Sequence, residues 1–240
     1  MTSDNNKKNI LKNSVSNVVK KYNGPVLYIV RHGATDFNSQ VYGEDRVRGW
    51  IDVPLNAEGK KEAEEIGKFL KDKDISHIFA SNLGRTKLTS EIIAKEIGLP
   101  KDKITPVIDL RPWNLGMYQG QVSGKIGKEL DFYASHYNKV PKGGECFQDY
   151  LDRYIPFLRE KMDEVKSQGK PIALITHYRN VKVADSWFDG GMKDNHVDPP
   201  KVMAGYLPTG CVVSFTWDKK ANKWKEKFHD AVKDGDKKDK

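Results

Sequence analysis

The sequence predicts a three-layer α/β/α sandwich, an α/β fold built on a mostly parallel central sheet. The first observation is a pair of largely apolar runs, residues 26–30 and 170–176, which are typical of strands buried on both faces. The second is that strand and helix patterns alternate along the chain, as they do in sheets covered by helices on both sides. The third is length, because 240 residues suffice for one α/β domain or for two small ones.

Two helices and two short strands are predicted after the first strand. Asn56 can cap a helix that runs to about Lys71, with apolar residues at helical spacing. A short strand at residues 78–80 leads into a second helix, which ends at Gly98. The inner stripe of this second helix is expected to consist of Leu88, Ile92, Ile93 and Ile97. Another short strand is predicted at residues 104–108.

The second half of the chain predicts a long helix after Gly144. Its inner face is a set of apolar and aromatic residues at helical spacing: Phe147, Leu151, Tyr154, Leu158, Met162 and Val165. Pro156 lies inside this helix and should kink it by removing one backbone hydrogen bond. Residues 212–217 and 224–228 predict a closing hairpin. Residues 189–207 are poorly patterned and rich in proline and glycine, so we interpret them as a lid or a substrate loop.

The charge distribution indicates one folded domain, residues 25–230, between a flexible leader, residues 1–24, and a flexible tail, residues 231–240. The net charge of +8 comes from the two ends, since residues 1–24 and 219–240 each carry +4 and the body between them sums to zero. A nucleic-acid groove needs clustered positive charge on the folded body. We therefore predict no nucleic-acid partner.

The composition also bears on membranes and on location. No apolar run approaches the roughly 18 residues needed to span a bilayer, and no apolar stretch follows Lys7 and Lys8 as in a secretory signal. Cys146 and Cys211 are too few for a disulfide scaffold, and we expect both to be reduced thiols. These observations predict a cytoplasmic protein without a membrane partner, for which a homodimer is one candidate assembly.

Polar residues follow three of the predicted strands. His32 lies in an Arg31-His32-Gly33 tripeptide after the first strand, His177 follows the strand at 170–176, and Arg85 opens the helix after the strand at 78–80. Parallel neighbouring strands bring such residues to the same edge of the sheet. Guanidinium groups and a helix N-terminus favour phosphate oxygens. The pattern therefore predicts a pocket for a dianionic phosphate.

The chain resembles the histidine phosphatase superfamily, the phosphoglycerate-mutase-like group whose signature is Arg-His-Gly after the first strand. The resemblance rests on an ordered series of segments: RHGATDFN, RGWIDVPLNAEGKKEA, SNLGRTKLTSEI, LGMYQG, PKGGE, LITH and PTGC. It covers most of the chain, from about residue 26 to residue 228. It implies a phosphoglycerate mutase-like fold and a small phosphorylated substrate, with neither a metal nor another cofactor.

The resemblance also implies the roles of individual residues. His32 would be the nucleophile that forms a phosphohistidine, which water then hydrolyses. Arg31, Arg85 and His177 would hold the phosphoryl oxygens and offset the charge that develops during transfer. Substrate contacts would come from the following residues: Thr35, Asn38, Gly49 and Tyr178.

One departure from the family pattern concerns the proton donor. The family usually has Leu-x-Glu before its glycine turn, whereas this chain has Leu110-Arg111-Pro112. Proline has no proton to give, and general acid catalysis commonly contributes about 10²–10⁴-fold. Glu145 resembles a family segment that faces the pocket, so we assign it to the catalytic set, although an acid in the first turn of a helix more often complements the helix dipole. Tyr178 and Asp109 are the alternative donors.

Three functions remain open at this stage. A metal-independent phosphatase acting on phosphomonoesters fits the family pattern best. A 2,3-bisphosphoglycerate-dependent phosphoglycerate mutase is favoured by the PTGC segment and by chain length, but it is disfavoured by Pro112 because it needs proton transfer in both directions. The missing acid also allows a weakly active phosphate-ligand binder or a phosphohistidine-protein phosphatase, since an imidazole leaving group asks less of an acid.

Overall fold

The computed structural model describes residues 25–38 and 44–232 of the chain. Its core is one six-stranded sheet in the order β3-β2-β4-β1-β5-β6. The strands in chain order are β1 Val26–Arg31, β2 His77–Ser81, β3 Ile104–Val107, β4 Ile172–Thr176, β5 Val212–Asp218 and β6 Lys223–His229. The first four of these are mutually parallel, β5 pairs antiparallel with β1, and β6 pairs antiparallel with β5. The predicted mostly parallel sheet is thereby confirmed.

Helices cover both faces of the sheet. In chain order they are α1 Ala57–Leu70, α2 Gly84–Ile97, α3 Gly127–Ser135, α4 Phe147–Gln168, α5 Tyr178–Asp189 and α6 Pro199–Met203. One hydrophobic cluster joins the sheet to α1 and α2, and the other joins it to α3, α4 and α5. The strand β1 shows why: all its residues are buried, and successive residues such as Tyr28 and Ile29 belong to the clusters on opposite faces of the sheet. The three-layer prediction is confirmed.

Several predicted elements are confirmed in detail. The Asn56 side chain accepts a hydrogen bond from the amide of Gly59 and so caps α1. The six residues predicted for the inner face of the long helix are all buried in α4, which also contains Pro156. The hairpin lies where it was expected, although each strand is slightly longer.

The predicted inner stripe of α2 is wrong in two of its four members. Ile93 is buried, and Ile97 is half-buried and packs against the same cluster, whereas Leu88 and Ile92 are partly exposed and lie outside both clusters. The buried face instead consists largely of small hydroxyl residues and one arginine: Arg85, Thr86, Thr89 and Ser90. These hydroxyls can be buried because each one bonds to a backbone carbonyl, as Thr86 Oγ1 does at 2.7 Å from the carbonyl oxygen of Ser81.

Three further regions differ from the sequence prediction. The helices α3 and α5 were not anticipated, and the region 189–207 contains the short helix α6. Ala231, assigned to the flexible tail, is fully buried in the cluster beneath α1 and α2. The leader, residues 1–24, and the rest of the tail, residues 233–240, lie outside the described residues.

The register of the sheet determines where the candidate site lies. Arg31, the last residue of β1, pairs with Thr176, the last residue of β4. The residues that follow, His32 and His177, are therefore neighbours just past the edge of the sheet. The next strand across, β2, ends at Ser81 beside the same edge.

Candidate active site

A cavity of about 420 Å³ opens at the carboxyl ends of β1, β2 and β4. This volume lies in the range that small-molecule sites commonly have. Its wall includes both histidines, which are almost fully buried at 1% exposure for His32 and 3% for His177. Their ring centroids lie 5.2 Å apart, with the rings in an edge-on arrangement. The structure thus brings together the two histidines that the sequence predicted to meet.

Backbone contacts fix the orientation and tautomer of His32. Its Nδ1 lies 2.6 Å from the carbonyl oxygen of Gly33, which can only accept, so Nδ1 carries the proton. Burial lowers the pKa of His32 well below its usual 6.5, and the charges of Arg85, Arg48 and Arg31 lower it further. At neutral pH the ring is therefore uncharged, and Nε2 keeps the lone pair that a nucleophile needs.

His177 is also neutral, and both its nitrogens contact protein groups. Burial lowers its pKa well below 6.5, with Arg85 as the next cause. Arg85 Nε donates to His177 Nδ1 at 3.3 Å, so the proton of the ring lies on Nε2, which is 2.9 Å from Ser81 Oγ. In this arrangement His177 contacts Arg85 and Ser81 rather than presenting an unoccupied N–H to the cavity.

Arg31 and Arg85, the two guanidinium groups predicted for phosphate binding, both line the cavity. Arg85 is held by the carbonyl oxygens of Gly49 and Ile51, each at 2.8 Å. Arg31 donates to the carbonyl oxygen of Leu207, but its Nε is buried without a hydrogen-bond partner among the described residues. A buried N–H of this kind is stabilised when a ligand oxygen accepts from it.

The start of α2 contributes the Arg85 side chain to the site, and two of its first backbone amides already have protein partners. The amide of Gly84 donates to the Asp52 carboxylate at 2.7 Å, and the amide of Thr86 donates to the carbonyl oxygen of Leu83. Asp52 thus already places an anion at this helix N-terminus, and phosphate binding by its backbone amides stays a prediction.

The sequence analysis missed Arg48, which lines the same cavity. Its Nη1 is buried and has no hydrogen-bond partner in the described part of the chain. Burial and the charges of Arg31 and Arg85 lower its pKa to about 9, so it is still charged at neutral pH. A signal was present, because Arg48 directly precedes Gly49 in the RGW segment that pointed to the site.

Gly49 lines the cavity as predicted, and its backbone explains why a glycine stands there. Its φ is +49°, a left-handed value that glycine adopts easily. A Cβ at this position would lie 2.2 Å from Gln119 Oε1. The carbonyl of Gly49 accepts from Arg85, so this residue positions a guanidinium group in addition to contributing to the wall.

Thr35 and Asn38 lie beyond His32 and bond to one another. Thr35 Oγ1 donates to Asn38 Oδ1 at 3.0 Å, and the amide of Thr35 reaches the same oxygen at 3.3 Å. Neither residue is among the described residues that line the cavity. In this conformation the structure does not bring these two predicted contacts to the cavity wall.

Glu62 is a second residue that the sequence analysis did not assign to the site. Its carboxylate accepts from the amide of Ala34 at 2.6 Å and from the hydroxyl of Thr209. Burial raises its pKa, which the two hydrogen bonds oppose. Glu62 thereby ties the loop after His32 to the PTGC segment, and so acts through positioning.

Glu145 does not lie where the donor assignment requires. It is not part of the described cavity wall, and its carboxylate forms an ion pair with Arg153, with contacts of 2.7 and 3.1 Å. Glu145 Oε1 also accepts from the amide of Asn114 at 2.8 Å. The expectation that Glu145 faces the pocket is wrong, because Arg153 and the backbone already hold its carboxylate.

Tyr178 and Pro112 both line the cavity. The Tyr178 hydroxyl donates to the carbonyl oxygen of Gly205 at 2.7 Å, and the Tyr178 ring lies 5.1 Å from the Arg31 guanidinium. Of the described wall residues, Asp45 and Asp131 carry the carboxylates. Asp109, the other alternative donor, is absent from the described wall.

The described residues contain neither a metal-ligand cluster nor a membrane-spanning helix. Within 25–38 and 44–232, no group of three or more His, Cys, Asp or Glu side chains is arranged to hold a metal ion. None of the helices in this part of the chain has both the length and the apolar character required to cross a bilayer.

Comparison with known proteins identifies the family. A profile of the histidine phosphatase superfamily (branch 1) matches residues 27–228. The chain is 30% identical over 166 residues to a 2,3-bisphosphoglycerate-dependent phosphoglycerate mutase of Cytophaga hutchinsonii, covering 66% of this chain and 74% of the relative.

Two solved structures show the same fold. A phosphoglycerate mutase from Bacillus anthracis has a TM-score of 0.69 at 19% identity, covering 89% of this chain and 98% of that chain. A mycobacterial glucosyl-3-phosphoglycerate phosphatase, solved with VO3, has a TM-score of 0.62 at 20% identity, covering 85% and 97%. The fold is phosphoglycerate mutase-like. Since the family profile spans most of the chain and includes His32, Arg85 and His177, the protein belongs to the histidine phosphatase superfamily, branch 1.

Proposed function

We propose that the protein is a metal-independent phosphatase that hydrolyses phosphomonoesters through a phosphohistidine at His32. The observation that carries this proposal is the state of His32: a buried, neutral ring whose Nδ1 proton is held by Gly33 and whose Nε2 is left with its lone pair. The charges of Arg85, Arg48 and Arg31 lower its pKa further, and the same positive charges would attract an anionic substrate.

The first step forms the phosphoenzyme. The Nε2 lone pair attacks phosphorus, the ester P–O bond breaks, and the ester oxygen leaves with its electron pair and takes up a proton. Arg31 and Arg85 offset the negative charge that the phosphoryl oxygens carry through transfer. In the second step water attacks phosphorus, the P–N bond breaks, and neutral His32 and inorganic phosphate are regenerated.

On the described wall, the carboxyl groups of Asp45 and Asp131 are the candidates for passing a proton to the leaving oxygen. Pro112 offers none, and Glu145 is engaged by Arg153. Substrates whose leaving groups need little protonation are therefore the ones this site handles most easily. Aryl phosphates meet that condition, and so does a phosphohistidine in another protein.

The test is to compare the unmodified chain with His32→Ala in excess EDTA, using p-nitrophenyl phosphate. We expect the loss of nearly all turnover in His32→Ala, and no loss for His136→Ala, a matched change at the exposed histidine that directly follows α3. Labelled substrate should leave an acid-labile, base-stable phosphate on the unmodified chain but not on His32→Ala. Full activity in His32→Ala, or activity that EDTA abolishes, would refute the proposal.

A phosphoglycerate mutase is the second candidate, supported by the name of the 30% identical relative from Cytophaga hutchinsonii. A mutase needs proton transfer in both directions, for which Pro112 is unsuited. Incubation with 3-phosphoglycerate, with and without 2,3-bisphosphoglycerate, separates the two functions. Isomerisation that depends on the bisphosphate and exceeds phosphate release would make the protein a mutase.

We also propose a reducing, cytoplasmic location, because both Cys146 and Cys211 are buried free thiols. A homodimer stays a prediction, which light scattering of the purified chain would test.

A further inference from the structure

The described wall of the cavity carries more positive charge than one phosphoryl group neutralises. Five arginines line it against two aspartates, and both histidines are neutral. A phosphomonoester dianion supplies two negative charges, so an excess of one positive charge remains. Electrostatic complementarity of this kind selects ligands by their total charge.

Arg48 differs from two other arginines of the cavity wall in having an Nη1 donor that is not used. Arg46 Nη1 donates to the carbonyl oxygen of Gly120 at 2.9 Å, and Arg179 Nη1 donates to that of Val202 at 2.6 Å. Arg48 Nη1 is buried without a hydrogen-bond partner among the described residues. An unsatisfied buried guanidinium N–H is costly, and an anionic ligand oxygen would satisfy it.

We infer that the substrate is a phosphomonoester with a second anionic group near its ester oxygen, and that Arg48 binds this second group. Arg31 and Arg85 then balance the transferred dianion, and Arg48 is left for a carboxylate or a second phosphate on the leaving group. The inference rests on the proposed phosphatase function and names its substrate class. It makes Arg48 a specificity residue, since a neutral alkyl group at the same place would leave its charge uncompensated.

Two esters of nearly equal size differ chiefly in this second charge. Phosphoglycolate and ethyl phosphate share the phosphoryl group and a two-carbon leaving group, but only phosphoglycolate carries a carboxylate. We expect the unmodified chain to favour phosphoglycolate at least tenfold in kcat/KM. In Arg48→Gln that preference should fall at least tenfold, and in Arg48→Lys at least threefold, because lysine keeps the charge but lacks the planar fork.

The matched control is Arg159→Gln, at a partly exposed arginine of α4 that is absent from the described wall, which should leave the preference unchanged. An unchanged preference in Arg48→Gln and Arg48→Lys would overturn the inference, as would a preference for ethyl phosphate in the unmodified chain. Equal losses on both esters would overturn it as well, because Arg48 would then hold the transferred phosphoryl group. Arg48→Lys keeps the question answerable if Arg48→Gln does not fold.

Binding measurements separate this inference from the phosphatase proposal. Calorimetry with His32→Ala, which cannot form the phosphoenzyme, should show at least tenfold tighter binding of phosphoglycolate than of ethyl phosphate. Adding Arg48→Gln should remove that difference. Equal affinities, or no binding of either ester, would overturn the inference whatever the turnover assays give. No turnover of either ester by the unmodified chain, together with the expected difference in binding, would refute only the phosphatase.

Discussion

Glu145→Gln tests whether Glu145 acts as a proton donor or only holds the structure together. In the structure its carboxylate pairs with Arg153, and the two side chains are each 16% exposed. Arg153 also donates to the carbonyl oxygens of Asp109, Arg111 and Pro112. Because Pro112 is part of the cavity wall, this pair supports the wall from behind.

The magnitude follows from the contacts that glutamine cannot make. The amide keeps one oxygen for the backbone N–H of Asn114, but its NH₂ group meets the donors of Arg153. Breaking a buried ion pair costs about 3–5 kcal/mol, and partial exposure lowers this to about 2–3 kcal/mol here. For a domain of about 200 residues, that is a fall in Tm of about 4–12 °C.

The assay combines thermal unfolding with kcat/KM for p-nitrophenyl phosphate and ethyl phosphate. We expect Glu145→Gln to lower Tm and to reduce both activities by the same factor, since a loosened wall affects both esters alike. Glu91→Gln, a change at an exposed position on α2, should alter neither. A loss on ethyl phosphate at least tenfold larger than on p-nitrophenyl phosphate, with Tm unchanged, would refute this reasoning, because only a missing acid discriminates by leaving group.

The histidine pair and the loop after it yield two more predictions. The unfolded chain protonates His177 below about pH 6.5 whereas the folded chain does not, so stability is complete above that pH and falls as the pH drops. Urea unfolding between pH 6.5 and pH 5 should therefore show a fall in the free energy of unfolding that is about 2 kcal/mol smaller in His177→Asn than in the unmodified chain. An equal pH dependence in the two chains would show that burial of neutral His177 is not the cause. A Cβ at Gly33 would lie 2.1 Å from the carbonyl oxygen of Gly59. Gly33→Ala should therefore lose activity, and its free energy of unfolding should fall by about 3 kcal/mol. Gly124→Ala, where a Cβ meets no atom within 4 Å, is the control and should change neither. An active and stable Gly33→Ala would contradict the close approach of the two backbone segments.

The sequence by itself determined the layers of the fold and the meeting of the two histidines. Apolar runs without alternation specify strands that must be covered on both faces, and this requirement is local to residues 26–30 and 170–176. Once the two strands are parallel neighbours, the residue after each one must lie at the same edge. His32 and His177 could therefore be placed together, although they are 145 residues apart in the chain.

Only the tertiary structure decided which polar groups remain available to a substrate. Glu145 is of a residue type that can donate a proton, but Arg153 from the long helix α4 binds its carboxylate. Arg48 lies in a segment that pointed to the site, but only the structure shows that its Nη1 is buried without a partner among the described residues. The physical reason is that hydrogen-bond satisfaction depends on groups distant in sequence, whereas periodicity and caps depend on neighbours.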